Sequence, residues 1–239
     1  MSDKKRDVTA APGGKRLDRA AEAGELDSFL SQVAATPAPS GDRGRLIFAL
    51  DATASRQGTW DQAMALQGDM FARTRGIAAL DVQLVYYRGY GECRASGWVT
   101  RTERLLRLMS SVRCEAGRTQ IARILRHGLK ETQRQPAQAL VFIGDAVEEN
   151  VDILGDLAGQ LRLVGLPLFI FQEGHDPAAT QAFAAVARVS GGAHCRFDAA
   201  SADTLGRLLN AMAAYATGGR PALARQSTTE SARLLEQLG

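Results

Sequence analysis

The chain has 239 residues, is 45% hydrophobic and 23% charged, and carries a formal net charge of +3. These are globular proportions, which argue against wholesale disorder, and the length suits one sizeable α/β domain with tails or at most two small domains. No apolar run reaches the ~20 residues that span a bilayer, and the charged start MSDKKRDVTAAPGGKR lacks the apolar stretch of a secretory signal. The three cysteines (Cys93, Cys114, Cys195) form no CxxC pair, which argues against a disulfide scaffold and fits the reducing cytoplasm.

Residues 1–19 are polar and read as a disordered basic arm. Residues 20–44 read as a short helix, with Leu26, Phe29, Leu30 and Val33 at helical spacing, followed by the linker TPAPSGDRG. From 45 to 217 strand-like and helix-like segments alternate. The predicted strands are 45–50 (RLIFAL), 80–87 (LDVQLVYY), 92–99 (ECRASGWV), 139–144 (ALVFIG), 167–172 (PLFIFQ) and 193–197 (AHCRF). The predicted helices are 59–73, 102–111, 119–133, 149–163, 177–189 and 201–216. The tail 218–239 is polar apart from SARLLEQL.

Continuous apolar strands joined through helices imply a mostly parallel sheet with helices on both faces. Gly89 and Gly91 mark a hairpin, so the more polar 92–99 strand is expected antiparallel at an edge. The expected fold is one doubly wound α/β domain over 45–217 with a six-stranded sheet.

The charge is unevenly spread. Residues 88–134 hold eleven basic and four acidic side chains, whereas 135–219 hold four and nine. Arg123, Arg126, Lys130 and Arg134 recur at helical spacing and share one helix face. No aromatic residues interleave with them for base stacking, which favours a solvated face or a docking face for an acidic protein over a nucleic-acid footprint.

In open α/β sheets ligands bind beyond the C-terminal strand ends, where strand order reverses. Asp51-Ala52-Thr53-Ala54-Ser55 follows the first strand, Asp145 follows the strand 139–144, and Gly117-Arg118-Thr119 precedes the helix at 119–133. Asp51 alone reads as a helix cap. Together with Thr53, Ser55, Thr119 and Asp145 it makes a set of hard oxygen donors, which suits Mg²⁺ and disfavours zinc.

This pattern resembles the von Willebrand factor A (VWA) domain family. The family's metal-ion-dependent adhesion site reads DxSxS, a Thr in a later loop, and an Asp after the fourth strand. LIFALDATAS supplies the first part as a DxTxS variant, GRT (117–119) the second and VFIGDAVEE the third, although the TDG often found after that strand is missing. The resemblance implies a Mg²⁺ (or Mn²⁺) held by Asp51, Thr53, Ser55, Thr119 and Asp145, with one position open for an Asp or Glu of a protein partner. It implies non-enzymatic work in multiprotein assemblies, often with ATPases or chaperones. Arg118, Glu148, Arg123, Arg126 and Lys130 are the expected partner-contact residues. Glu148 and Glu149 otherwise read as helix-start glutamates favoured by the dipole, and Thr119 doubles as a candidate helix N-cap.

Two other readings compete. A nucleic-acid-associated protein would use the basic 88–134 region. A Mg²⁺-dependent phosphohydrolase would use Asp51 as nucleophile, but it needs a second carboxylate two residues on, where Thr53 stands. The chain has no GxxxxGK[ST], no GxGxxG after the first strand and no GxSxG.

Overall fold

The structure is a computed structural model and describes residues 44–57, 80–197 and 216. The predicted arm, the helices at 20–35, 59–73 and 201–216 (Ala216 excepted), and the C-terminal tail lie outside the described residues.

Strand β1 (Gly44–Asp51) is buried along its whole length, as are β4 (Ala139–Gly144) and β5 (Leu168–Glu173). Between them come β2 (Leu80–Arg88) and β3 (Glu92–Ala95), and β6 (His194–Phe197) is the last strand. The sheet order is β3-β2-β1-β4-β5-β6. All neighbours are parallel except β2 and β3, the antiparallel pair at the edge. The helices are α1 (Thr102–Ser111), α2 (Ile121–Arg134), α3 (Val151–Leu163) and α4 (Pro177–Ser190).

Strand alternation explains the two cores. Leu46, Phe48 and Leu50 of β1 face one side and pack with Leu105 and Met109 of α1. Ile47 and Ala49 face the other and pack with Ile124 and Leu125 of α2, Leu157 of α3 and Phe183 of α4. Strands buried on both faces need the near-continuous apolar runs that the sequence supplies. Among the described residues no helix is long and apolar enough to cross a membrane.

Most boundaries shift by a residue at most, and three differ by two residues or more. The edge strand ends at Ala95 rather than 99. The Ser96 hydroxyl accepts the Leu84 N–H at 3.0 Å, taking a donor that the ladder would need, and the chain regains the sheet only at an isolated Val82–Val99 bridge. Helix α3 starts at Val151, because the Asn150 side chain accepts the N–H groups of Asp152 and Ile153. Helix α2 starts at Ile121 with Gln120 at its N-cap, so Thr119 is not the cap.

Helix α2 also carries a titratable contact with the sheet. His127 Nε2 lies 2.8 Å from the Gln83 side-chain oxygen, and the Gln83 amide donates to the Ser96 carbonyl, which orients it. Burial lowers the His127 pKa below its ordinary 6.5; Lys130 and Arg134 also lower it, and Glu131 opposes. The unfolded chain therefore takes up this proton first as pH falls. The contribution is fully present above about pH 6.5 and is lost as pH drops towards and below the folded value. Urea denaturation across that range should show stability declining with acidity, and His127→Gln should flatten that part of the profile.

Candidate metal centre

The chain steps from β1 to β2 to β3 on one side and from β4 to β5 to β6 on the other, so strand order reverses between β1 and β4. Asp51 ends β1 and Asp145 directly follows β4. Leu50 pairs with Ile143, which brings Gly144 beside Asp51. A Cβ on Gly144 would stand 2.6 Å from the Phe142 ring and 3.5 Å from the Asp51 Cβ, so glycine permits this close approach.

Asp51 is fully buried and both its carboxylate oxygens are engaged. Oδ1 accepts the Thr53 N–H at 2.7 Å, which turns the loop, and Oδ2 accepts the Tyr87 hydroxyl at 2.7 Å. Tyr87 is the register partner of Asp51 on β2. Burial above all, with the Asp51 charge next, pushes the Tyr87 hydroxyl well above its ordinary value, so it remains a donor. Burial also raises the Asp51 pKa; the bonds from Thr53 and Tyr87 oppose this and the nearby Asp145 charge adds to it. The Oδ1 oxygen of Asp145 is buried and has no hydrogen-bond partner. Orphaned buried carboxylate oxygens are rare and costly.

The hydroxyls come from two loops. Thr53 Oγ1 and Ser55 Oγ lie 3.0 Å apart, Thr53 buried and Ser55 exposed. The loop is pinned by Glu115 N–H donating to the Ala52 carbonyl, in a parallel bridge between Thr53 and Glu115. Gly117 then passes so close to the β2–β3 turn that a Cβ there would stand 1.9 Å from the Gly89 carbonyl oxygen. Thr119 is tied to the segment after β4 by a reciprocal pair: its N–H donates to Glu148 and its hydroxyl accepts the Glu148 N–H, both at 3.0 Å.

Glu148 and Glu149 do not serve their own helix. Glu149 accepts the N–H groups of Ile121 and Ala122, capping α2 from across the site. This corrects the reading of both as dipole-favoured residues at the start of α3. The pair fastens the Asp145 segment to the Thr119 segment.

The donor set is two carboxylates and three hydroxyls, all hard oxygens, with two adjacent negative groups and one unsatisfied oxygen. That chemistry fits Mg²⁺ or Mn²⁺. Among the described residues no three His, Cys, Asp or Glu side chains are grouped as a metal site would need, so any cation here would rely on the hydroxyls as well as the two carboxylates.

The expected partner-contact residues separate in space. Arg118 is exposed beside Thr119, and Glu148 is exposed while bonded to it. Arg123 donates to Gly91 and Gln120 at the hairpin. Arg126 and Lys130 line a groove of about 480 Å³ between α2 and α3 with Ile153 and Asp156. The remaining basic excess of 88–134 disperses too. Arg88 pairs with Glu92 and Glu115, Arg94 with Glu92, and Arg134 with Glu131. Arg101, Arg104 and Arg107 line a separate cleft with Trp98.

Three residues at the site carried no recognisable signal in the sequence. Tyr87 looks in the sequence like any other residue of its strand, although its register with Asp51 follows once β1 and β2 pair. Arg56 and Glu173 form a buried pair. Arg56 Nε and Nη2 donate to Glu173 Oε2 at 2.8 and 2.6 Å, and Nη1 donates to the Asp51 carbonyl at 2.8 Å.

No protein-family profile matches the chain, and no curated protein does. Solved structures do. The VWA domain of SpRpn10 superposes with a TM-score of 0.54 at 15% identity, covering 70% of this chain and 94% of that one. A von Willebrand factor type A structure from Catenulispora acidiphila gives 0.56 at 13%, covering 74% and 44%. Proximal thread matrix protein 1 of the mussel byssus, with a zinc-occupied MIDAS motif, gives 0.54 at 12%, covering 72% and 46%. At such identities the likeness concerns architecture: the six-stranded sheet, its single antiparallel edge and its helices have the fold of the von Willebrand factor A domain.

Proposed function

We propose that this chain is a non-enzymatic protein-interaction module whose contact depends on a divalent cation, Mg²⁺ or Mn²⁺, held by Asp51, Thr53, Ser55, Thr119 and Asp145. The observation that carries this reading is the buried, unpartnered Asp145 oxygen beside the buried carboxylate of Asp51. Two acidic groups in that setting repel each other and gain from a cation. When bound, the cation supplies a Lewis-acid point to which a partner's Asp or Glu side chain attaches. The chain's own residues do the rest. Thr53 N–H and Tyr87 orient Asp51, the Glu148–Thr119 pair joins the two loops, and the rim at the strand ends, Arg118 included, provides the surface that selects the partner.

Hydrolysis fits this arrangement poorly. Both Asp51 oxygens already accept hydrogen bonds, and position 53 offers a hydroxyl where an acid–base carboxylate is needed. The test is affinity capture from native lysate in Mg²⁺ and in EDTA, with Asp51→Ala alongside. The proposal expects a partner that is held in Mg²⁺ and lost in both EDTA and the variant. Partners that survive both treatments refute a metal-bridged contact.

A further inference from the structure

Among the described residues Arg56 is one of the largest fully buried side chains, and its guanidinium donates to the main chain at the start of the candidate metal loop. Burying a charged pair is a poor way to gain stability, since well-packed apolar residues of similar volume often serve as well or better. The pair's location is more telling. Arg56 closes the short turn Ala54–Arg56, its N–H donating to the Thr53 carbonyl at 3.2 Å. Its guanidinium has three arms in use: two on Glu173 Oε2 and one on the main-chain oxygen of Asp51.

Glu173 is the last residue of β5, the strand beyond β4 as seen from β1. Gly144 pairs with Gln172, so Asp145 and Glu173 leave neighbouring strands at the same level. Three acids, Asp51, Asp145 and Glu173, thus end three adjacent strands. Among the described residues, Glu173 is the one of the three paired with a basic side chain, Arg56.

Resting on the site reading above, we propose that Arg56 and Glu173 are positioning residues of the metal centre. The guanidinium neutralises Glu173 and so reserves the negative charge at the switch point to Asp51 and Asp145. Its third arm holds the Asp51 carbonyl, fixing the start of the Asp51–Ser55 loop against β5. A planar fork with several donors is suited to spanning two acceptors in this way; a lysine ammonium is not.

The test uses the full chain and Mn²⁺ alone as the probe, with binding read by electron paramagnetic resonance and folding read by thermal melting. The variant Arg56→Met/Glu173→Met removes both charges and keeps apolar volume. It should melt close to wild type and bind Mn²⁺ about tenfold or more weakly, the usual scale for losing a supporting contact behind a metal site. Arg56→Lys keeps the charge opposite Glu173 without the span to the Asp51 carbonyl, and should show a smaller loss.

If the double variant folds and binds Mn²⁺ as tightly as wild type, while Asp145→Asn has lost binding, the pair is only structural and the proposal falls alone. If wild type and Asp145→Asn bind equally, the site reading falls and takes the proposal with it. Should the double variant fail to fold, unchanged affinity in Arg56→Lys overturns the proposal.

Discussion

Asp145→Asn is expected to abolish the thermal stabilisation that Mg²⁺ or Mn²⁺ gives the wild-type chain, while leaving the metal-free protein at least as stable. The two halves have one cause. The Asp145 Oδ1 oxygen is buried without a partner, and its charge works against the neighbouring Asp51. An amide keeps the shape and removes the repulsion, so nothing made in the metal-free fold at that oxygen is lost. A cation, by contrast, loses one of two carboxylates. A ligand at a hundred times its dissociation constant stabilises by about 2.7 kcal/mol, which for a chain of this size is a rise of roughly 5–10 °C. Melting curves of both proteins in EDTA and in excess Mg²⁺ read the effect. A residue that served folding would instead lower the metal-free melting point when replaced.

Arg56→Met alone should be strongly destabilising, costing about 3–5 kcal/mol, because it strands Glu173 as a buried charge. It also leaves the Asp51 carbonyl without its guanidinium donor. Urea midpoints measured in EDTA exclude any contribution from metal. Under the same conditions Arg56→Met/Glu173→Met should recover most of the loss, since both charges are then gone. This asymmetry between breaking a buried pair and removing it whole separates electrostatics from simple packing: lost packing would make the double variant worse than either single one.

The strands were legible because burial on both faces demands uninterrupted apolar runs, and RLIFAL, ALVFIG and LFIFQ supply them. That Asp51 and Asp145 follow predicted strands was legible too, whereas the strand order that makes β1 and β4 neighbours at the switch point came from the fold. What stayed hidden depends on long-range partners. Glu148 and Glu149 look like ordinary helix-start acids, yet they reach about thirty residues back to Thr119, Ile121 and Ala122. Arg56 looks like a loop arginine until the fold brings Glu173 to it. The early end of β3 depends on one serine hydroxyl, which no propensity encodes. Local pattern reveals which segments are strands and helices, whereas the polar network of a site is written in pairs far apart in the chain.

Under the proposed function, Asp51, Thr53, Ser55, Thr119 and Asp145 together hold one divalent cation. The most direct measurement is a Mn²⁺ titration of the purified full chain by electron paramagnetic resonance, with Mg²⁺ as competitor and Asp51→Ala as control. The expected result is a single saturable Mn²⁺ per chain, displaced by Mg²⁺ and absent in the variant. Wild-type protein that leaves Mn²⁺ free, or binding that Asp51→Ala leaves unchanged, would contradict it.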